Sequence, residues 1–310
     1  MIRTNRWWRL LTPLLILVLA WVVVTNWQSV VEAFAVAGTS LFVVVPLGIV
    51  GLVSGAASWA VLQPSERRRR AFGAFLVAQP AKYLPGGGFI QAAGQVTMST
   101  DRGVSAGPTS VSFGVHALVQ VAAGASMALL VAVQSQGRWF LVMAAGAVLV
   151  PMFLVLFNDP MYGRLLGFLK RFERLRLEHG GSATSARTRY TSWGLTTIPL
   201  AAAGGIFYIM VGGVFEVRDL AYTVGAFAAA WVAGFLFFFI PVGLGIRESV
   251  LVLLLADVPA SQLIAVSAAH RALMLAIEAV VAFVVHLYQR RRTGSGTVST
   301  DGSCAGTTDR

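Results

Sequence analysis

Two short proline- and glycine-rich breaks interrupt apolar stretches of the chain, and each carries a cationic side chain. Residues 81–88 read Ala-Lys-Tyr-Leu-Pro-Gly-Gly-Gly, and residues 241–248 read Pro-Val-Gly-Leu-Gly-Ile-Arg-Glu. A broken helix leaves backbone N–H groups without intrahelical partners, and such groups favour a nearby anion. Lys82 and Arg247 lie at these breaks, so the pattern predicts an anion-binding site built from two distant parts of the chain.

Other polar side chains lie within apolar segments, where an uncompensated charge costs about 2.5–3.5 kcal/mol. Arg271 and Glu278 are two helical turns apart and share one face of the last apolar segment. Gln91 and Gln95 are about one turn apart after the first break. The predicted binding residues are Lys82, Tyr83, Pro85, Gly86, Gly87, Gly88, Gln91, Gln95, Gly243, Gly245, Arg247, Glu248, Arg271 and Glu278.

These residues also have structural alternatives to a binding role. Lys82 can extend its flexible stem to the cytoplasmic surface of the membrane. Arg247 and Glu248 can form an internal ion-pair network with the charges of the last apolar segment. His116 and His270 are weaker candidates for a functional role such as proton relay, because a histidine inside a helix bundle also serves as an interhelical hydrogen-bond partner.

The sequence lacks the patterns of an enzyme site. It contains no metal-ligand spacing, no phosphate-cradling Gly-Lys-Ser/Thr loop and no Gly-x-Ser-x-Gly nucleophile motif. Cys304 is the only cysteine, so neither an intramolecular disulfide nor a cysteine metal cluster can form. We therefore expect no catalytic residues, no cofactor and no metal.

The composition is that of an integral membrane protein. Apolar residues make up 56% of the chain and charged residues 12%, and the mean hydropathy is +0.73. The pI near 11.0 would otherwise suggest nucleic-acid binding. Basic residues in short loops between apolar helices instead serve membrane orientation and attraction to anionic lipid, so we expect no nucleic-acid partner.

Six apolar runs are long enough to cross a membrane as helices, which takes about 20 residues. They cover residues 10–30, 38–62, 108–134, 138–157, 191–214 and 261–287. Two further apolar stretches, 71–98 and 219–257, contain the breaks, and we expect each to enter the bilayer and return to the same side. The sequence predicts an all-α polytopic membrane protein with one transmembrane domain over residues 10–290.

The distribution of basic residues predicts the orientation. If both breaks lie in re-entrant hairpins, nearly all loop arginines and lysines fall on one side, including the basic loop 158–190, whereas Arg138 and Arg218 fall on the other. Positive loops mark the cytoplasmic side, so the N-terminal segment 1–9 and the tail 291–310 are both predicted to be cytoplasmic. The Gly-, Ser- and Thr-rich tail is expected to be disordered.

The same element order occurs twice with opposite orientation. Residues 10–134 give two spans, a hairpin from the inside and a third span. Residues 138–287 give two spans, a hairpin from the outside and a third span. Inverted-topology repeats of this kind bring broken helices together near the bilayer midplane, so the sequence predicts that the two cationic breaks meet.

The breaks also resemble the signatures of a known family. Lys-Tyr-Leu-Pro-Gly-Gly at 82–87 with Asp-Arg-Gly-Val-Ser at 101–105, and Gly-Leu-Gly-Ile-Arg-Glu at 243–248, are similar to motifs of the lysylphosphatidylglycerol synthase transmembrane family. That family includes the flippase half of the multiple peptide resistance factor. The resemblance covers about residues 10–290, and the second motif is the more specific.

The resemblance implies a lipid translocator with re-entrant helices that moves aminoacylated phosphatidylglycerol or a polyprenyl-linked sugar. Lys82, the 85–88 loop, Arg247 and Glu248 would then be the functional positions. Gln95 stands where many relatives carry arginine, and Val242 where a glycine is common, so the headgroup preference does not follow from it. The chain shows no acyltransferase-type synthase domain, and we expect that it does not make an aminoacylated lipid.

We therefore expect a flippase for an anionic phospholipid or polyprenyl-phosphate-linked lipid in the cytoplasmic membrane of a bacterium. An alternative is a membrane scaffold that presents lipid-linked substrate to a cytoplasmic glycosyltransferase or synthase through residues 164–189. A small-anion transporter using the same cations is a third hypothesis. The sequence does not predict the oligomeric state.

Overall fold

The computed structural model describes residues 24, 27–83, 87–100, 107–134, 139–170, 184–212, 220–236 and 245–294. Within these ranges the chain forms helices and connecting turns, with no β-strand. The helices are α1 (Trp27–Thr39), α2 (Leu41–Val61), α3 (Arg68–Ala78), α4 (Gly87–Ser99), α5 (Gly107–Gln134), α6 (Trp139–Phe157), α7 (Asp159–Lys170), α8 (Ala186–Gly212), α9 (Leu220–Leu236), α10 (Ile246–Leu254) and α11 (Ala260–Gly294). Short 3-10 turns, Ser65–Arg67 and Gln79–Tyr83, precede and follow α3.

Four helices in the described ranges, α2, α5, α8 and α11, are long and apolar enough to cross a membrane. They coincide with four of the six predicted spans, which confirms the prediction of a helical membrane protein at this level. Helix α6 coincides with the predicted span 138–157, and its 19 residues include no charged side chain. The predicted span 10–30 lies mostly outside the described residues.

Each predicted hairpin contains two helices separated by its break. Helices α3 and α4 flank the first break and pack against each other, and α9 and α10 do the same at the second break. The first break includes the 3-10 turn Gln79–Tyr83, whose tighter winding ends α3. Residues 84–86 and 237–244 lie outside the described residues, and the predicted return of each hairpin to its starting side stays a prediction.

Other helix contacts join the two halves of the chain. Helix α2 packs most extensively against α8, α5 packs against α9, and α11 packs against α3. The largest apolar core is formed by α8 to α11, with Phe207, Met210, Phe227, Leu251 and Leu263 buried in it. The elements that carry the predicted site are therefore fixed to one another by apolar packing.

Small residues allow several of these helices to approach closely, as is typical of membrane bundles. A Cβ atom at Gly51 would lie 3.3 Å from the Pro199 Cα, and one at Gly204 would lie 3.0 Å from the Val224 Cα. At Gly225 the nearest atom would be the Val131 backbone nitrogen, at 2.9 Å. Because backbone atoms cannot move aside cheaply, these glycines set the spacing between helices.

Arg189 is fully buried at the start of α8, although the sequence pattern places it in a basic loop. Its guanidinium donates hydrogen bonds to the Leu156 and Thr184 carbonyl oxygens and to the Asp159 carboxylate. The Tyr162 ring lies 3.9 Å below it. Arg189 therefore joins the start of α8 to the end of α6 and the start of α7, which explains why α8 begins before the predicted residue 191.

The segment predicted to contact a cytoplasmic partner, 164–189, is described only in part. Helix α7 ends at Lys170, and residues 171–183 lie outside the described residues. Residues 1–9 and most of the tail 291–310 also lie outside them. The predictions made for these segments stay predictions.

We predict that Gly225→Ala lowers the midpoint of thermal unfolding in detergent, because the added methyl group would meet the Val131 backbone. Overpacking of this kind costs about 1–3 kcal/mol. Gly114→Ala is the matched control, since nothing lies within 4 Å of a Cβ at that position on α5. A helical alanine there is expected to be neutral or slightly stabilising. Equal midpoints for the two variants would contradict this account of the α5 and α9 contact.

Candidate anion-binding site

Five charged side chains, which we call the charge cluster, come together from three distant segments. Lys82 comes from the 3-10 turn after α3, Arg247 and Glu248 come from the first turn of α10, and Arg271 and Glu278 come from α11. Arg271 and Glu278 flank the middle of the candidate span Ala260–Arg291. The structure thus brings Lys82, from the first break, and Glu248, from the second, to one helix.

Glu248 is held by three groups from two helices. Its Oε1 lies 2.6 Å from Arg271 Nη2 and accepts a hydrogen bond from Ser267 Oγ at 3.3 Å. Its Oε2 accepts a hydrogen bond from the Gly245 backbone N–H at 2.8 Å. Gly245 has a φ of +84°, a conformation that glycine adopts at little cost. Glu248 therefore caps α10 and joins it to α11, which is a structural role.

Lys82 and Glu278 form the second ion pair. Lys82 Nζ lies 2.6 Å from Glu278 Oε1 and donates a further hydrogen bond to Gln79 Oε1 at 3.1 Å. The Lys82 side chain is 29% exposed, whereas Glu278 is buried, and Glu278 Oε2 has no hydrogen-bond partner among the described residues. The Glu278 carboxylate is thus less completely satisfied than that of Glu248, although Arg271 Nε and Nη2 also lack hydrogen-bond partners in the described ranges, and Lys82 can be reached from outside.

Arg247 has no ion pair within the described part of the chain, although its relative exposure is only 8%. Its guanidinium lies 4.2 Å from the centre of the Phe227 ring, which provides a cation–π contact. Its Nε has no hydrogen-bond partner among the residues that the structure describes. The positive charges of Lys82 and Arg271 lie near enough to repel it, and the Glu248 carboxylate, which forms its ion pair with Arg271, attracts it. Within the described part of the chain, Arg247 is thus a buried cation without an ion-pair partner of its own.

Aromatic rings and a histidine form the wall beside Arg247. Phe227 also contacts the His270 ring edge to face, with centroids 5.1 Å apart, and Phe207 contacts the same ring at 5.7 Å. His270 Nε2 lies 3.0 Å from the Ala203 carbonyl oxygen, so this histidine is an interhelical hydrogen-bond partner. His116 lies in a separate aromatic group, between Trp59 and Phe75.

The other predicted site residues are less closely tied to the charge cluster. Tyr83 lies beside Lys82, whose Nζ is 5.1 Å from the centre of its ring. Gln91 is half-buried and Gln95 is buried, but neither shares a hydrogen bond with the charge cluster in the described ranges. Gly87 and Gly88 begin α4. Pro85, Gly86 and Gly243 lie outside the described residues.

Sequence reasoning missed three neighbours of the charge cluster, namely Gln79, Phe227 and Ser267. Gln79 lies one 3-10 turn before Lys82, so the local spacing contained a signal for it. Phe227 and Ser267 lie in other helices and follow no local pattern.

No protein-family model matches the chain, and no curated protein matches it significantly. The resemblance of the two breaks to the lysylphosphatidylglycerol synthase transmembrane family therefore stays a prediction.

We predict that Glu248→Gln strongly lowers thermal stability in detergent, because it leaves Arg271 buried without its counter-ion. Removing one partner of a buried pair costs about 3–5 kcal/mol. The double variant Glu248→Gln, Arg271→Gln is expected to regain part of that loss, because it leaves neither charge uncompensated. Glu66→Gln is the control, since Glu66 is exposed and its carboxylate accepts a hydrogen bond from the hydroxyl of the neighbouring Ser65. A single variant as stable as the control would refute the role assigned to this pair.

Proposed function

We propose that this protein is a non-enzymatic translocator that moves an anionic phospholipid or a polyprenyl-phosphate-linked lipid across the cytoplasmic membrane of a bacterium. The observation that carries the proposal is Arg247, a buried cation without a counter-ion among the described residues, beside two ion pairs in which the other four charges of the cluster are paired. An uncompensated charge at membrane depth is costly and marks a functional site. A headgroup phosphate supplies the missing anion, and a guanidinium binds two phosphate oxygens at once.

The proposal includes six spans and two re-entrant hairpins arranged as an inverted repeat. If α2 corresponds to α8, α3 to α9 and α5 to α11, then the contact of α5 with α9 has its counterpart in the contact of α11 with α3. The contacts of α2 with α3 and of α8 with α9 form a second such pair. Helices α2 and α8, which would be equivalent, also pack against each other. This correspondence supports a pseudo-two-fold relation between the halves.

In this mechanism the headgroup phosphate binds Arg247 and approaches Lys82, while the acyl chains stay in lipid. Lys82 is the more accessible cation, and it can turn from Glu278 towards the phosphate because its stem is flexible. The pair of Glu248 with Arg271 keeps the start of α10 in place during this exchange. Relative motion of the two halves then exposes the bound headgroup to each side in turn.

We predict that Arg247→Gln and Lys82→Gln each slow the movement of an anionic fluorescent lipid in proteoliposomes. Loss of one charge-assisted hydrogen bond costs about 1.5–3 kcal/mol, which corresponds to roughly a 10- to 100-fold change. Fluorescence quenching from outside the vesicle measures the movement. Arg69→Gln is the control, because Arg69 is exposed on α3. Undiminished movement in the double variant Arg247→Gln, Lys82→Gln would overturn the proposed function.

The re-entrant hairpin predicts that both of its flanking loops face the cytoplasm. In a Cys304→Ser background, Ser65→Cys before α3 and Arg102→Cys after α4 should react with an impermeant maleimide in inverted vesicles only. Gln136→Cys, between α5 and α6, should react only in right-side-out vesicles. If the cysteines at positions 65 and 102 were labelled from opposite sides of the membrane, the stretch 71–98 would cross it once.

A further inference from the structure

We propose that the site accepts a headgroup with one net negative charge, a lipid phosphodiester monoanion, in preference to dianionic and zwitterionic headgroups. This inference rests on the proposed function and specifies its substrate class. It separates phosphatidylglycerol-like lipids from lipids that end in a phosphomonoester or pyrophosphate. It also separates them from lipids whose phosphate charge is balanced by an amine.

The first argument is the sum of charges at the site. The charge cluster contains three cations, Lys82, Arg247 and Arg271, and two carboxylates, Glu248 and Glu278. One net positive charge therefore remains. The sum is that of the described residues. Among the segments outside them, the two that lie within the breaks, 84–86 and 237–244, contain no ionisable side chain, so the breaks themselves do not change it.

The second argument is that both carboxylates are already engaged by specific cations. Glu248 contacts Arg271, Ser267 and the Gly245 N–H, and Glu278 contacts Lys82. The remaining positive charge is thus localised on Arg247, which packs against the Phe227 ring. A guanidinium that forms no ion pair with a described carboxylate suits one phosphodiester, whose two non-bridging oxygens share one negative charge.

The third argument is the cost of residual charge in a poorly solvated site. Coulomb energies rise as the effective dielectric constant falls, so an unbalanced charge is penalised more in the bundle than at the surface. A monoanion brings the site to neutrality, a dianion leaves one negative charge, and a zwitterion leaves the original positive charge. Glu278 Oε2 can accept a hydrogen bond from the hydroxyl of one headgroup or the ammonium of another. This hydrogen bond does not discriminate between headgroups, so the preference for a monoanion arises from the sum of charges.

The test compares lipids of equal chain length and different headgroup charge in proteoliposomes at pH 8. Tail-labelled phosphatidylglycerol, phosphatidate and phosphatidylethanolamine represent the monoanion, the dianion and the zwitterion. We expect phosphatidylglycerol to move about ten-fold faster than either of the others, the equivalent of one decade in affinity. Glu278→Gln raises the net charge of the site by one, and we expect it to shift the preference towards phosphatidate by a similar factor.

A charge-conserving variant separates net charge from a particular contact. Lys82→Gln, Glu278→Gln removes the whole ion pair and leaves one net positive charge. We expect its rate to fall but its preference for phosphatidylglycerol over phosphatidate to persist. Unfolding midpoints in detergent exclude misfolded variants, and Lys82→Met, Glu278→Met provides a second variant of unchanged net charge if the first does not fold, because apolar residues often replace a buried ion pair without loss of stability.

The outcomes separate this inference from the proposed function. If no lipid moves, the proposed function fails. If all three lipids move at one rate, or if Glu278→Gln leaves the ranking unchanged, translocation stands and the charge rule is wrong. Uptake of soluble dimethyl phosphate without lipid movement would assign the anion site to a small solute and overturn the lipid monoanion as substrate.

Discussion

The cost of placing charge inside an apolar bundle governs the structure described here. Arg271 and Glu278 lie near the middle of a long apolar span, where neither could stay ionised alone. Each finds its partner at one of the two breaks, Arg271 at α10 and Glu278 at the turn after α3. The positions of both breaks relative to α11 therefore follow from the need to pair these charges.

The two ion pairs both join α11 to a break, but they differ in exposure and in how their carboxylates are bound. About 10 Å separates the levels of Arg271 and Glu278 along α11, given two turns of helix. At the first level the carboxylate of Glu248 is bound on both oxygens, so it fixes the start of α10. At the second level Lys82 is accessible, and Glu278 Oε2 has no hydrogen-bond partner among the described residues. The first pair suits a framework that must not move, and the second suits exchange of partners.

The sequence predicted the helical membrane fold and most of the residues that now lie near one another. Cations at two breaks and two charges on one helical face were enough to propose a common site. The sequence could not predict that Lys82 pairs with Glu278, 196 residues away, or that Arg247 lies on Phe227. These contacts depend on the packing of separate helices, which leaves no trace in local spacing. Arg189 shows a limit of the charge pattern. It counts as a loop arginine when the orientation is predicted, but in the structure it is buried and joins the start of α8 to neighbouring helices.

The two pairs also impose an order on assembly. Helix α11 follows both breaks in the chain, and its two charges have opposite signs and different partners. Until α11 has entered the membrane, Lys82 and Glu248 have no counter-ion from it, and the earlier helices contain unbalanced charges. Once α11 is in place, a shift of one turn would separate both pairs together. The two charges of α11 thus favour one register of this helix against the two breaks, the register in which both ion pairs form.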